Sequence, residues 1–348
     1  MPLLRAEWWE AHQPLVVFMW IILLVVPFAI VYGAGDTFET VLECIVNDYL
    51  TFIVLLFGLF CVSGNITVGG DFAGSPRVNA CLLALGTLLS SCIGTTGANM
   101  GGCLTPIGDP PLLMGFMRGV PFFWSMHLLP ILIFNLVILL FVFYHLDKKA
   151  YRKDIAEGRK PDISRPGTEF YIEGLHNIIL LAAFLSFKTT DSSIRTKNHF
   201  TWGAIKEVAV LFIGIFITMQ PALMLLKSVG PNLGISEPYQ MFWATGALSS
   251  FLDNTPTYLV FLTTAGTLGL TGGITTALGQ IPVNLLEAIS CGAVFMGANT
   301  YIGNAPNFMV KAISDENGVN MPSFFGYILW SLAFLVPVFI LDMLVFFL

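Results

Sequence analysis

Two acidic residues, Asp109 and Asp253, lie between long uncharged stretches of the 348-residue chain. An acid at mid-membrane depth is costly and usually functional. A carboxylate removed from water takes up a proton readily, whereas a bound cation favours its charged form. Competition between H+ and Na+ for one carboxylate is the minimal mechanism of an antiporter. Each Asp is also placed to cap the N-terminus of a half-helix, and the two roles can coexist.

Hydroxyl and amide side chains occur in the passages that contain the two acids and in the similar passages of the other copy. Na+ is a hard cation that prefers oxygen ligands. The candidate ion and substrate ligands, besides the two acids, are Thr95, Thr96, Asn254, Thr255, Thr257, Asn299, Thr300 and Asn304. The alternative is that these side chains bond their own helix or cap its ends. We expect Na+ as the coupling or transported ion at these residues, and no other cofactor.

The same residues belong to two similar passages of the chain. Leu89–Gly97 matches Leu248–Pro256 at an offset of 159 residues, and Gly102–Pro111 matches Gly297–Pro306 at an offset of 195. Each copy is followed by a Pro/Phe-Phe element and a long apolar span. We interpret them as one structural unit used twice, with 36 more residues between the two motifs of the second copy.

The elements that position these motifs must lie in a membrane. The chain is 55% apolar and 11% charged, against roughly 25% charged in a soluble domain. A net charge of −6 is wrong for a nucleic-acid partner. The six Cys form no CxxC pair and the five His are scattered, which favours neither a disulfide frame nor a metal centre nor an enzyme.

Five uncharged apolar runs are long enough to span a bilayer, and two further apolar stretches are broken. The spans are predicted at Pro14–Gly33, Tyr49–Val68, Leu128–Tyr144, Val208–Leu226 and Phe324–Leu341. The 31 residues between Arg77 and Asp109 would make one helix of about 46 Å, so their Gly and Pro residues must break it. The stretch Asn254–Leu286 fits a short arm, a link and a half-helix. Asp342, near the outer end of the last span, is expected to reach the headgroups.

Charge sets the orientation, because Lys and Arg accumulate in cytoplasmic loops. Ten of the sixteen lie between Lys148 and Lys197. If Leu175–Phe187 is too short to cross, the N-terminus is cytoplasmic and the two copies enter from opposite faces. Inverted copies with broken middles are typical of secondary transporters, with the site between them.

The prediction is an all-α polytopic membrane protein of the cell (inner) membrane. It is divided into N-terminal spans (1–76), repeat 1 (77–147), a basic cytoplasmic loop (148–202) and repeat 2 (203–348).

The passages Ser90–Ala98, Gly101–Pro111, Leu252–Thr257, Gly303–Asn307 and Lys197–Gly203 together resemble the citrate-transporter-like branch of the ion transporter superfamily, many of whose members are sodium:proton antiporters. The resemblance runs from about Tyr49 to the C-terminus. It implies two inverted repeats, each with a re-entrant hairpin and a broken helix. The hairpin tips would be Gly94–Ala98 and Asp253–Thr257, and the unwound helix segments Thr105–Pro111 and Asn299–Pro306.

The chain departs from this family pattern in three places. It starts one span late, it lacks the returning hairpin arm and the first half of the broken helix after Met100, and it is shortened near Phe184–Lys188. The unequal repeat offsets indicate the second gap independently of the resemblance.

Four functions remain open on the sequence. The first is exchange of Na+ (or Li+) for H+ across the membrane. The second is cation-coupled transport of citrate or another carboxylate, which the lack of Lys and Arg in the motifs disfavours. The third, an intramembrane enzyme with paired acids, fits the Asn/Thr/Gly-rich tips poorly, and the fourth is a shortened, inactive transporter. The expected partners are the lipid bilayer, Na+ and H+, citrate in the second case, and a second copy in a homodimer.

Overall fold

The computed structural model describes residues 6–63, 65, 67–69, 74–93, 99–157, 171–173, 190–197, 202–304, 307, 310, 311, 314 and 320–348. The described part is almost entirely helical, with two small antiparallel strand pairs. Five of its helical segments have the length and composition of membrane spans, namely Ala11–Tyr32, Ala34–Gly58, Phe122–Ala156, Val208–Val229 and Phe324–Phe347. The chain is an all-α polytopic membrane protein, as predicted.

The helices are numbered here in chain order. They are α1 (Ala6–Tyr32), α2 (Ala34–Glu43), α3 (Thr51–Ser63), α4 (Pro76–Ile93), α5 (Pro110–Met117), α6 (Leu129–Ala156), α7 (Ser192–Lys197), α8 (Gly203–Val229), α9 (Pro238–Ser249), α10 (Asn254–Thr267), α11 (Val283–Met296) and α12 (Phe324–Asp342). Wider π turns follow α2 at Cys44–Leu50 and α12 at Met343–Phe347. Tighter 3-10 turns occur at Met100–Leu104, Phe122–Leu128, Gly230–Asn232 and Gly297–Asn299. Strand β1 (Thr67–Gly69) pairs with β2 (Tyr171–Glu173), and β3 (Ile274–Thr276) pairs with β4 (Gly279–Ile281).

The second span was predicted too late in the chain. It begins at Ala34 rather than Tyr49, and its helix ends at Ser63, short of Val68. The segment 34–48 contains four acids and is therefore not one of the uncharged runs. Asp36, like the other acids of α2, is exposed, and Asp48 is paired with Arg118 at 2.8 Å. An acid within a membrane span is normally paired, as Asp48 is.

The basic loop also begins differently from the prediction. Helix α6 continues to Ala156, so the first basic residues, Lys148 to Lys153, lie on the end of a helix. The end of the loop contains the short helix α7. The stretch Leu175–Phe187, on which the orientation depends, lies outside the described residues.

The two interrupted stretches are broken as predicted. Helix α4 ends at Ile93, a 3-10 turn follows at Met100–Leu104, and α5 begins at Pro110. In the second stretch α10 is the arm, the β3–β4 pair is the link and α11 is the half-helix. With 14 residues each, α10 and α11 are about 21 Å long, which is less than the hydrocarbon thickness of about 30 Å.

The β3–β4 pair marks one face of the protein. It joins the end of α10 to the start of α11, and it also contacts the end of α5, where the Ala277 amide donates to the Arg118 carbonyl at 2.7 Å. Helix α9 packs on α11, and the hydroxyl of Ser249 donates to the Ala293 carbonyl at 2.6 Å. Since these two residues lie near the C-terminal ends of α9 and α11, the two helices run in the same direction. Both therefore start at the β3–β4 face and end in the interior.

Helix α4 starts at the opposite face. Helix α6 shows this, because it begins near the β3–β4 face after α5 and extends about 27 Å from its first residue to Asp147. The Asn79 amide, in the first turn of α4, donates to the Asp147 carboxylate at 2.9 Å. Helices α4 and α9, which lead into the two similar motifs, thus enter from opposite faces.

Candidate functional site

The first copy of the repeated motif is held together by hydroxyl bonds to carbonyl groups. The hydroxyl of Ser91, near the end of α4, donates to the Gly101 carbonyl. The hydroxyl of Thr105 donates to the Ser91 carbonyl and accepts from the Gly108 amide at 3.1 Å. These bonds tie the non-helical segment before α5 to the end of α4.

The second copy has the same bonds at the corresponding positions. The hydroxyl of Ser250 donates to the Met296 carbonyl at 3.1 Å. The hydroxyl of Thr300 donates to the Ser250 carbonyl and accepts from the Gly303 amide at 3.1 Å. The partners in the two copies differ by the two sequence offsets, so these bonds support the interpretation of one unit used twice.

A close backbone contact also occurs in both copies. A β-carbon on Gly108 would lie 2.3 Å from the Gly102 carbonyl oxygen, and one on Gly303 would lie 2.6 Å from the Gly297 carbonyl oxygen. Only glycine fits at such a separation. The turn before α5 and the turn after Gly297–Asn299 therefore depend on equivalent glycines.

Asp109 lies at the centre of the described site. It precedes the first residue of α5, its side chain is fully buried, and it makes no capping bond to that helix. One carboxylate oxygen, Oδ1, accepts from Nδ2 of Asn254 at 3.2 Å. The other oxygen, Oδ2, is buried without a hydrogen-bond partner among the described groups. Since buried carboxylate oxygens are normally paired, Oδ2 is the natural place for a proton or a cation.

Asp253 has a different role in this conformation. Its side chain caps α10 by accepting from the Thr255 amide at 2.9 Å. The capping alternative therefore describes Asp253 and not Asp109. Asp253 directly precedes Asn254, whose amide donates to Asp109. A proton or a cation at Asp109 would reduce the repulsion between two carboxylates that share this polar group.

The remaining candidate ligands of α10 are buried beside the acids. Asn254, the first residue of α10, places its amide nitrogen on Asp109 while its Oδ1 accepts from the Thr255 hydroxyl at 3.4 Å. The Thr257 hydroxyl donates to the Asp253 carbonyl at 2.9 Å. For this residue the structure shows the alternative to ion binding, a bond to its own helix. Thr95 and Thr96 lie outside the described residues.

The candidate ligands after α11 form a second polar group. Asn299 donates to the Ser250 hydroxyl at 2.9 Å, while its Oδ1 is buried without a partner among the described groups. Asn304 donates to Oδ1 of Asn99 at 3.3 Å. Thr300, whose bonds are given above, is 1% exposed. This group therefore connects the second copy to the end of the first.

Two asparagines that the sequence did not single out complete this connection. Nδ2 of Asn99 donates to Oδ1 of Asn307 at 2.6 Å. Asn307 in turn donates to the Gly297 and Thr300 carbonyls at 2.9 and 2.8 Å. Their signal was available, because Asn99 directly follows the first tip motif and Asn307 ends the Gly303–Asn307 passage.

The two polar groups adjoin at Gly297. An added β-carbon there would lie 3.7 Å from the β-carbon of Asn254 and 3.4 Å from the Ser249 hydroxyl. Asp109, Asn254 and Asn304 are at most 2% exposed, whereas Asp253 and Asn299 are partly exposed. A narrow cleft between α5, α8 and α10, too tight for a water molecule, is lined mainly by apolar side chains and reaches Thr255.

In the described part of the chain, the ionisable side chains of the site are the two acids. The ion pairs found there, Asp48–Arg118 and Glu157–Lys153, do not involve Asp109 or Asp253. Among the described residues, no three His, Cys, Asp or Glu side chains lie close enough together to hold a metal ion. The chemistry available is that of oxygen ligands for a hard cation or a proton.

The prediction for Asp342 was wrong. Instead of reaching the headgroups, its side chain is fully buried. Its Oδ1 accepts from Nδ2 of Asn135 on α6 at 2.8 Å. Depth along a span can be read from sequence, but the direction of a side chain between neighbouring helices cannot.

Comparison with known families gives one match over nearly the whole chain. A family model described as "Putative citrate transport" matches residues 1–100, 98–184 and 178–347. The first two segments meet at the end of the first tip motif, where the repeat offsets predict missing residues. The last two meet within 178–184, beside the third predicted departure. None of the curated proteins matches the chain.

Proposed function

Because the chain belongs to this citrate transport family, we propose that it is a secondary transporter that exchanges Na+ (or Li+) for H+ across the cell membrane. Membership establishes a citrate-transporter-like membrane transporter, in agreement with the resemblance of its motifs. The proposal adds the transported ions. It rests on one observation, the buried Asp109 carboxylate whose Oδ2 has no partner among the described groups.

The exchange follows from the competition of two cations for that oxygen. With Asp109 ionised, Oδ2 offers a negative ligand beside the hydroxyl and amide oxygens of Thr255 and Asn254. With Asp109 protonated, the charge that attracts Na+ is gone. Binding of one ion therefore expels the other, and exchange results if the site opens alternately to each side of the membrane. The basic residues of the 148–197 region support an orientation with the N-terminus in the cytoplasm.

Everted membrane vesicles test the proposal directly. With an imposed pH gradient and a fluorescent pH probe, addition of Na+ or Li+ is expected to dissipate the gradient in vesicles that contain the protein. Addition of K+ or of choline, as the control, is expected to leave it unchanged. An absent Na+ response across neutral and alkaline pH would refute Na+/H+ exchange.

Cation-coupled transport of citrate is the second candidate, and one geometric observation favours it. The N-termini of α5 and α10 meet at the contact between Asp109 and Asn254. Helix N-termini carry partial positive charge and bind carboxylates. An anion could therefore bind there once Asp109 is neutralised by a proton or a cation.

Uptake of labelled citrate distinguishes the two candidates. In proteoliposomes, a citrate transporter is expected to accumulate label only when a Na+ or proton gradient is present, and a Na+/H+ exchanger is expected to accumulate none. Empty liposomes and liposomes without a gradient are the controls. If neither citrate uptake nor Na+-driven proton movement occurs, the remaining alternative is that the protein is a shortened transporter without transport activity.

A further inference from the structure

A second buried polar pair lies between two membrane spans, apart from the site described above. It consists of Asp342 at the end of α12 and Asn135 on α6, and both side chains are fully buried. Helices α6 and α12 are the long spans that follow the first and second copies of the repeat. Neither residue belongs to the repeated motifs.

The pair has one hydrogen bond and two orphaned oxygens. Nδ2 of Asn135 donates to Oδ1 of Asp342 and to the Ile131 carbonyl, both at 2.8 Å. Oδ2 of Asp342 and Oδ1 of Asn135 are both buried without a partner among the described groups. An ionised carboxylate is acceptor-only, so it cannot satisfy the amide oxygen. A buried acceptor that is left without a hydrogen bond destabilises the folded protein.

A single proton resolves both defects. A proton on Oδ2 of Asp342 makes that oxygen a hydrogen-bond donor. The unpaired amide oxygen of Asn135 is then available as its acceptor. We propose that Asp342 and Asn135 form a second proton-binding site, in which an O–H on Oδ2 of Asp342 donates to Oδ1 of Asn135. The amide and the neutral carboxylic acid then form a two-bonded pair that joins α6 to α12.

The described surroundings supply no cation that would keep Asp342 ionised. The described ion pairs lie elsewhere. On α11 the titratable group within electrostatic range is Cys291. On α6 the first titratable side chain beyond Asn135 is Tyr144, about 13 Å along the helix. Helix α9 and the 3-10 turn after α11 pack on α12 or its π turn and contribute no charged side chain to the contact. From α9, Phe242 packs on Phe339 and Phe347, and the indole N–H of Trp243 lies 3.0 Å from the Met343 sulfur.

Infrared difference spectroscopy on the protein in lipid tests this site without any transport assay. Wild type is expected to show a protonated-carboxyl C=O band that disappears in Asp342→Asn, together with the loss of one titrating proton per chain. The matched control is the exchange variant Asn135→Asp/Asp342→Asn, which keeps one acid and one amide in the pair. It is expected to recover the band and the proton.

Two results would overturn the inference. One is an identical carboxyl spectrum and proton count for wild type and Asp342→Asn, and the other is an ionised Asp342 at every pH at which the protein is folded. If Asp342→Asn does not fold, Asn135→Leu keeps the acid and removes its acceptor. It is expected to shift the band, and an unshifted band would equally contradict the pairing. Failure here leaves the exchange proposed for Asp109 untouched, because these bands belong to a different carboxyl group.

Discussion

Replacement of Asp109 by Asn is expected to abolish the Na+-driven movement of protons, reducing the response to that of vesicles without the protein. An amide keeps the size of the side chain and its contact with Asn254, but it can neither bind a proton at that position nor offer a negative ligand. The measurement is the vesicle pH assay above, with protein amounts matched by immunoblot of the membranes.

Asp253→Asn is the matched control for this result. It removes the same charge from a carboxyl group whose hydrogen bond is a helix cap, and Asn caps helices about as well as Asp. We therefore expect Asp253→Asn to retain most of the exchange, although the sequence alone gave both acids the same role. Wild-type exchange in Asp109→Asn would contradict the mechanism, and equal loss in both variants would mean that the two acids bind the cation jointly.

Replacement of Gly108 or Gly303 by Ala is expected to destabilise the protein strongly. In both places the new methyl group would lie 2.6 Å or less from a backbone carbonyl oxygen, and neither backbone can move without breaking the adjoining hydroxyl bonds. We expect a cost of about 3 kcal/mol for each variant, at the upper end of what an inserted methyl group costs. The measurement is the fraction of folded, monodisperse protein that remains after heating in detergent.

Gly35→Ala provides the control for these two variants. It also lies in a membrane-associated segment, but nothing lies within 4 Å of its added β-carbon, so it is expected to fold like wild type. Because Gly108 and Gly303 occupy corresponding positions, their variants should be damaged to a similar degree. Normal thermal survival of Gly108→Ala with loss of Gly303→Ala would argue that the two motifs are not copies of one unit.

Much of the fold could be predicted because its causes are local. The number of spans follows from apolar length, and the breaks before Asp109 and after Thr267 follow from Gly and Pro. The start of the second span could not be predicted, because Asp48 is accommodated by Arg118, which is distant in the chain. Such a long-range ion pair leaves no periodic pattern in the sequence.

The site was predictable in its residue types and less so in their roles. The repeated motifs identified Asn254, Thr300 and Asn304, which the structure places close to Asp109 or to the end of the first copy. Whether an acid is a cap or a free ligand depends on the backbone amide in front of it. Asp253 accepts a bond from the amide of Thr255, whereas Asp109 makes no capping bond. The residues that flank the two acids in the sequence do not reveal this difference.

The unequal lengths of the two copies give the site unequal walls. On one side, the hairpin of α9 and α10, backed by α11, surrounds the polar groups, whereas α4 and the 3-10 turn at Met100 are separated by only six residues. Six residues are too few for a second arm as long as the 14-residue α10. If the protein performs the proposed exchange, the rates of ion release to the two sides of the membrane therefore need not be alike.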